Sequence, residues 1–222
     1  MEKIAVFIHA ALLSRWYERV SYYIDLMNKA GLLTHCKVYI NLLGETSDTF
    51  YFNHNNISLL NDIKELDKYE LPTLKLVYDF CRENPDYKVL YLHTKNVGKE
   101  INECIEDQIK YVMYFLISKW KDCIHELHTY NTASVDLRIE PVLHYSGNFW
   151  WANASYINTL VDPLEFNDLI KYPNPLNSLR HNQEFWLCYN SSIHIHKSVW
   201  DCGISVYERH LHRYLEDEYK RN

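Results

Sequence analysis

Tyr87-Lys-Val-Leu-Tyr-Leu-His-Thr-Lys95 is the stretch on which the fold turns. Its apolar run, Tyr87 to Leu92, reads as a short strand, and helical spacing follows it over about Asn102 to Tyr130, at Ile105, Ile109, Val112, Phe115, Leu116 and Trp120. The same order occurs twice upstream. Lys3 to Ala10 is a short apolar run, followed from Trp16 to Ala30 by a helix with Trp16, Val20, Tyr23 and Met27 on one face. Cys36 to Leu43 is β-rich and ends at Gly44; a loop over Glu45 to Asn56 separates it from a helix that starts at Leu71-Pro72 and ends near Asn84-Pro85. Three strand-then-helix units predict an α/β domain with a largely parallel central sheet flanked by helices.

Beyond these units the pattern predicts strands over Thr132 to Ile139 and Tyr145 to Ala152, and an irregular proline-bearing excursion over Val161 to Asn177. A helix over Leu179 to Tyr189, a short strand over Ile193 to His196 and a charged terminal helix over Tyr207 to Arg221 complete it. With 222 residues, 47% of them hydrophobic, and only 5 glycines and 6 prolines, one large ordered domain is expected. The net charge of -6 without a basic run argues against a nucleic-acid binder, and no apolar stretch is long enough to span a membrane. Six cysteines without a C-x-x-C pair fit reduced thiols in a cytoplasmic setting, which makes the sequons at Asn56, Asn153 and Asn190 chance matches.

Open α/β sheets bind ligands beyond the carboxyl ends of their strands, which directs attention to His9-Ala10 and to His93-Thr94-Lys95. Neither strand end carries a glycine-rich phosphate loop, so a Walker-type nucleotidase and a dinucleotide enzyme fit poorly. Downstream, His144-Tyr-Ser-Gly-Asn-Phe-Trp-Trp-Ala152 sets aromatic faces beside hydroxyl, amide and imidazole groups. That mixture suits a sugar-binding surface, with Ser146, Gly147, Asn148 and Trp150 toward the ligand, and it equally suits a buried strand. Trp150 and Trp151 alternate across a strand, so they do not both face a ligand.

Val89 to Asn96, His144 to Ala152 and Arg180-x-x-x-Glu184-Phe-Trp186, in that order, resemble a group of small GT-A-type glycosyltransferases. The group includes capsid-glycan transferases of chlorella viruses and, more distantly, bacterial rhamnan-synthesis F-type proteins. The resemblance covers most of the chain, from the first strand to about residue 200. It implies one domain whose half up to about residue 95 holds a nucleotide, whose half to about residue 205 holds donor sugar and acceptor, and whose residues 206–222 form a terminal helix. It implies transfer of a hexose or deoxyhexose from a nucleotide-diphosphate sugar to a hydroxyl of a glycan acceptor, and a viral origin would put the enzyme in the host cytoplasm. Many GT-A enzymes hold Mg²⁺ or Mn²⁺ with an Asp-x-Asp pair where this chain reads His93-Thr94-Lys95, which leaves metal dependence open.

On this resemblance, Lys95 neutralises the diphosphate with His9, His93, Thr94, His194 and His196 nearby, while Glu184 takes the acceptor proton and Arg180 lines the acceptor side. Asp136 and Asp162 are weaker substitutes for Glu184. Each residue has a plainer reading: His93 as a histidine bonding a loop carbonyl, His194 and His196 as polar residues on an exposed strand face, and Glu184 as a helix-face partner of Arg180. A metal held by His93 and His196 is the alternative to direct neutralisation by Lys95. Two other classes compete, a non-catalytic glycan-binding or degenerate transferase module, and a zinc hydrolase using His93, His194 and His196. His125-Glu-Leu-His128 has the wrong spacing for a helical zinc motif.

Overall fold

The structure is a computed structural model describing residues 2–45, 52, 54–169, 179–189, 191–205 and 207–220, with backbone alone at 61–63, 167 and 179–181. In chain order its elements are β1 (Lys3–Ala11), α1 (Trp16–Lys29), β2 (Cys36–Leu43), β3 (Ile57–Ile63), α2 (Leu71–Glu83), β4 (Tyr87–His93), α3 (Glu103–Met113) and α4 (Trp120–Glu126). There follow β5 (Thr132–Val135), β6 (Leu137–Arg138), β7 (His144–Tyr145), β8 (Trp150–Asn153), α5 (Ala154–Ile157), α6 (Pro163–Leu169), α7 (Leu179–Phe185), β9 (His196–Trp200) and α8 (Glu216–Tyr219). Among the described residues the main sheet has the order β3-β2-β1-β4-β8-β5-β9, and β6 pairs with β7 alone. β8 runs antiparallel to β4 and β5, and every other neighbouring pair in the main sheet is parallel. This is the α/β class that the strand-then-helix order predicts.

Burial on both faces explains why β1, β2 and β4 read as near-continuous apolar runs. Ile4, Val6, Ile8 and Ala10 of β1 join Leu90 and Leu92 of β4 and Trp151 of β8 in one core, under α1, α3 and α4. Ala5, Phe7, Val89, Tyr91, Trp150 and Ala152 point the other way, into a second core with α2, α5 and α6. α1 and α2 use the stripes that periodicity marks, Trp16, Val20, Tyr23 and Met27 for α1 and Leu74, Val77, Tyr78 and Cys81 for α2.

Several boundaries differ from expectation. The predicted helix over 102–130 is interrupted by a π-helical turn, Tyr114–Ser118, between α3 and α4. Asp136, at φ +53, ends β5 early, and the Thr132 to Ile139 segment divides into β5 and β6. The predicted strand over Tyr145 to Ala152 is cut by left-handed residues at Gly147 and Asn148, so β8 begins only at Trp150. β3 lies after the loop expected over Glu45 to Asn56, and Pro163–Leu169 is helical within the expected excursion. Among the described residues of the predicted terminal helix only Glu216–Tyr219 is helical; residues 207–211 are turn, and the segment after them is held to the body by Arg213 pairing with Asp107 and Glu103 and by Tyr214 stacking on Tyr111 with ring centroids 5.2 Å apart.

Candidate active site

Strand order reverses at β1, which has β2 on one side and β4 on the other, and a cleft of about 660 Å³ opens there beyond the carboxyl ends of these strands. Its apolar end is formed by Leu13, Leu43 and Leu66, with Asp67 and Tyr69 beside them. Lys95 and Lys99 line the β4 section. His144, Ser146, Gly147, Glu184 and Arg209 line the section toward β5.

The floor is a connected polar network. His9 and His93 are register partners on β1 and β4, which places two imidazoles side by side at the strand ends. His9 Nδ1 pairs with Thr73 Oγ1 at 3.0 Å, and Asn41 Nδ2 donates to the same hydroxyl at 3.0 Å. Burial pushes the His9 imidazolium down to about 4, against an opposing pull from Glu70, so this ring is neutral near pH 7. Thr94 stitches the two strand ends together, its N–H donating to the His9 carbonyl at 2.9 Å and its hydroxyl accepting from Ala11 N–H at 3.1 Å. His93 Nε2 lies 2.7 Å from the Gly147 carbonyl oxygen; a carbonyl only accepts, so Nε2 carries a proton and is committed to that loop. Lys95 turns tightly off the strand, its N–H donating to the His93 carbonyl at 3.0 Å, and its Nζ lies 3.3 Å from where a Cβ on Gly147 would stand.

Other expected residues lie elsewhere. Asn148 is buried; its amide donates to Glu70 Oε2 at 2.7 Å and its oxygen accepts the Trp150 indole N–H at 2.9 Å, so neither end reaches the cleft. Trp150 is 1% exposed and stacks on Tyr91 at 5.0 Å, and Trp151 is buried on the opposite face, so both tryptophans are core and Trp150 is not a sugar platform. The side chain of Arg180, and with it any pairing to Glu184, lies outside the described residues.

His194 and His196 are at the wrong end of the sheet. Ile193–Ile195 is a 3-10 turn with His194 exposed, and His196 begins β9, a strand parallel to β4 through β5, so it starts where those strands start. Through Thr132 and Ala152 it is in register with Val89, which puts it roughly 20 Å from His93 at about 3.3 Å per residue and about 4.8 Å per strand. His196 is buried against Thr132 Oγ1 at 2.6 Å and Ser191 Oγ at 2.6 Å, and desolvation pushes its imidazolium down to about 4. A shared metal on His93 and His196 is therefore excluded, and the three-histidine zinc site with it.

Among the described residues, no group of three His, Cys, Asp or Glu side chains with ligand spacing lies in the cleft. One nitrogen of His93 is spent on a carbonyl, and the β4 end presents an ammonium where carboxylates would be needed. Among the described residues the one cluster with ligand spacing is Asp136, Asp201 and Cys202, and the Arg138 guanidinium already bridges it, 3.2 Å from Asp136 Oδ1 and 3.0 Å from Asp201 Oδ1.

Two cleft residues escape sequence reasoning. Glu70, the residue before α2, is 8% exposed and accepts from the Tyr91 hydroxyl at 2.8 Å as well as from Asn148. Its own N–H donates to Gln183 Oε1 at 2.7 Å, which ties α7, and so Glu184, to the cleft. Arg209 is buried, with its NH2 group 4.0 Å from Asp136 Oδ2. Neither belongs to a local pattern: Glu70 meets its partners 21 and 78 residues away.

Fold and cleft together define an α/β protein with a ligand cleft at a topological switch point. Residues 14–192 match the family described as Domain of unknown function (DUF8361), and the chain belongs to that family. No curated protein matches its sequence. Among solved structures, a galactosyltransferase, LgtC, in complex with donor and acceptor sugar analogs, is similar to it at 12% identity, covering 81% of this chain and 69% of its own, with a TM-score of 0.43. No helix among the described residues is long and apolar enough to cross a membrane.

Proposed function

We propose that this protein is a glycosyltransferase that moves a hexose or deoxyhexose from a nucleotide-diphosphate sugar to a hydroxyl of a glycan acceptor, within one GT-A-like domain. The observation that carries the reading is the graded lining of the switch-point cleft: leucines at one end, ammonium groups in the middle, hydroxyl, imidazole and carboxylate groups at the other. A nucleoside, a diphosphate and a sugar follow in that same order along the donor. The nucleoside packs against Leu13, Leu43 and Leu66. Lys95, with Lys99 at the rim, neutralises the diphosphate as a fixed cation, and no metal enters the scheme.

Ser146 and His144, which line the cleft on either side of Tyr145, bond sugar hydroxyls, and the absence of a side chain at Gly147 lets the Lys95 ammonium lie close to the turn. Glu184 accepts the proton of the acceptor hydroxyl as its oxygen bonds to the anomeric carbon; the bond from that carbon to the diphosphate oxygen breaks, and the nucleoside diphosphate leaves with the electron pair. Burial of Trp150 removes the tryptophan platform that favoured a purely glycan-binding module. Six free thiols support a reducing compartment such as the cytoplasm. The test is a panel of UDP-, GDP- and dTDP-sugars with and without Mn²⁺, read by thermal shift and by nucleotide release. At least one is expected to stabilise the protein and to be hydrolysed or transferred without added metal; indifference to the whole panel refutes the reading.

A further inference from the structure

Gly147 and Asn148 are consecutive residues at positive φ, +91° and +56°. The second has a side chain, and a conformation that L-residues rarely adopt persists only where its surroundings hold it. Besides the turn's own bond, Asn148 N–H to the Tyr145 carbonyl at 3.1 Å, two bonds from the cleft floor hold this one. His93 Nε2–H fixes the Gly147 carbonyl at 2.7 Å, and Glu70 Oε2 fixes the Asn148 amide at 2.7 Å. The Trp150 indole on Asn148 Oδ1 determines which end of that amide faces Glu70. Glu70 also receives the Tyr91 hydroxyl of β4 at 2.8 Å, with its Oε1 3.7 Å from His93 Nδ1, so one carboxylate joins the turn to the strand that carries His93. Above the turn lies the Lys95 ammonium, 3.3 Å from the Cβ position of Gly147.

We propose that Glu70 is a positioning residue for Lys95: by holding the 146–149 turn in its left-handed form it keeps the ammonium where an anionic group of the ligand meets it. A buried carboxylate is stable only when its oxygens are bonded, and both bonds to Oε2 go to the two elements that form this part of the cleft wall. The proposal rests on the reading that the cleft takes a diphosphate, and it can be tested apart from transfer.

Inorganic pyrophosphate and UDP, GDP and dTDP serve as probes, titrated calorimetrically into the full chain. Glu70→Ala removes the brace, whereas Glu70→Gln retains an oxygen that can accept from Tyr91 and Asn148. Loss of charge-assisted bonds of this kind predicts about ten-fold weaker pyrophosphate binding for Glu70→Ala and a change within about three-fold for Glu70→Gln. Lys95→Ala is expected to weaken binding as well, and in its background the Glu70→Ala loss is expected to vanish, because the brace then has nothing to position. A merely structural role would give the same loss in both backgrounds, and that additivity overturns the proposal, as does unchanged affinity in Glu70→Ala. Should Glu70→Ala fail to fold, Asn148→Ala cuts the same bond from the turn side and decides on the same cycle. If pyrophosphate binds with this coupling but no sugar nucleotide binds or is turned over, the transferase reading fails and the positioning role stands; sugar-nucleotide binding indifferent to Glu70→Ala gives the reverse.

Discussion

Gly147→Ala separates backbone strain from cleft chemistry at one position. An alanine at φ +91° has to be held in a left-handed conformation, which costs about 1–2 kcal/mol. The steric part is smaller: the new Cβ would meet Lys95 Nζ at 3.3 Å and Phe149 ring carbons at 3.6 Å, and the nearer of these is the far end of a long, flexible side chain, which can give by a few tenths of an ångström. The stability loss is therefore set by the backbone, and for a chain of this size it lowers Tm by about 2–8 °C. The ammonium does move, so pyrophosphate affinity is expected to fall along with Tm. Gly203→Ala is the control, since Gly203 also has a positive φ, +70°, has nothing within 4 Å of its Cβ position and does not line the cleft. It is expected to lose comparable stability while binding normally. Urea denaturation and calorimetric titration of the two variants provide the comparison. Equal binding in Gly147→Ala and Gly203→Ala would refute the link from turn to ammonium, and an unchanged Tm in Gly147→Ala would refute the left-handed turn itself.

Acid is expected to destabilise the protein through buried histidines, most strongly His9 and His196. His9 and His196 are pushed down to about 4, below their unfolded value near 6.5, so as pH falls through that window the unfolded chain takes up protons that the folded chain refuses. Stability is full above the window and declines through it by roughly 3 kcal/mol at most for each histidine; a urea midpoint that does not fall between pH 7 and pH 5 contradicts their burial as neutral rings. Trp150→Ala is expected to cost about 3–5 kcal/mol, because it empties a core site and leaves Asn148 Oδ1 without its donor. A ring that stacked on a sugar at the cleft surface would instead lose binding with little change in the denaturation midpoint, so the two measurements together distinguish core from platform.

Legibility of this chain follows strand direction and sequence distance. β1, β2 and β4 were readable because burial on both faces removes polar alternation, and once they are parallel, His9 and Lys95 must stand at the carboxyl edge. The same reasoning misplaces His196, since alternation in Ile193-His-Ile-His196 says nothing about which end of a strand it occupies, and only its parallel pairing with β5 puts it at the far edge. The aromatic stretch was harder still. Its alternation is real, but Asn148 takes a left-handed conformation that sequence patterns assign to glycine, so the register slips at the residues nearest the cleft.

What periodicity cannot carry is the buried carboxylate. Glu70 sits at a helix start, where an acidic residue is ordinary, and nothing local distinguishes it from Glu18 in the first turn of α1. The difference lies in what burial demands. Glu18 is exposed and needs no partner, whereas Glu70, at 8% exposure, requires donors, and the chain supplies them from Tyr91 in β4 and Asn148 before β8. Those two elements bring the cleft its cation and its glycine. A bland residue by sequence thereby becomes the point at which strand end, turn and helix are joined, and its removal is expected to be felt at an ammonium it need not touch.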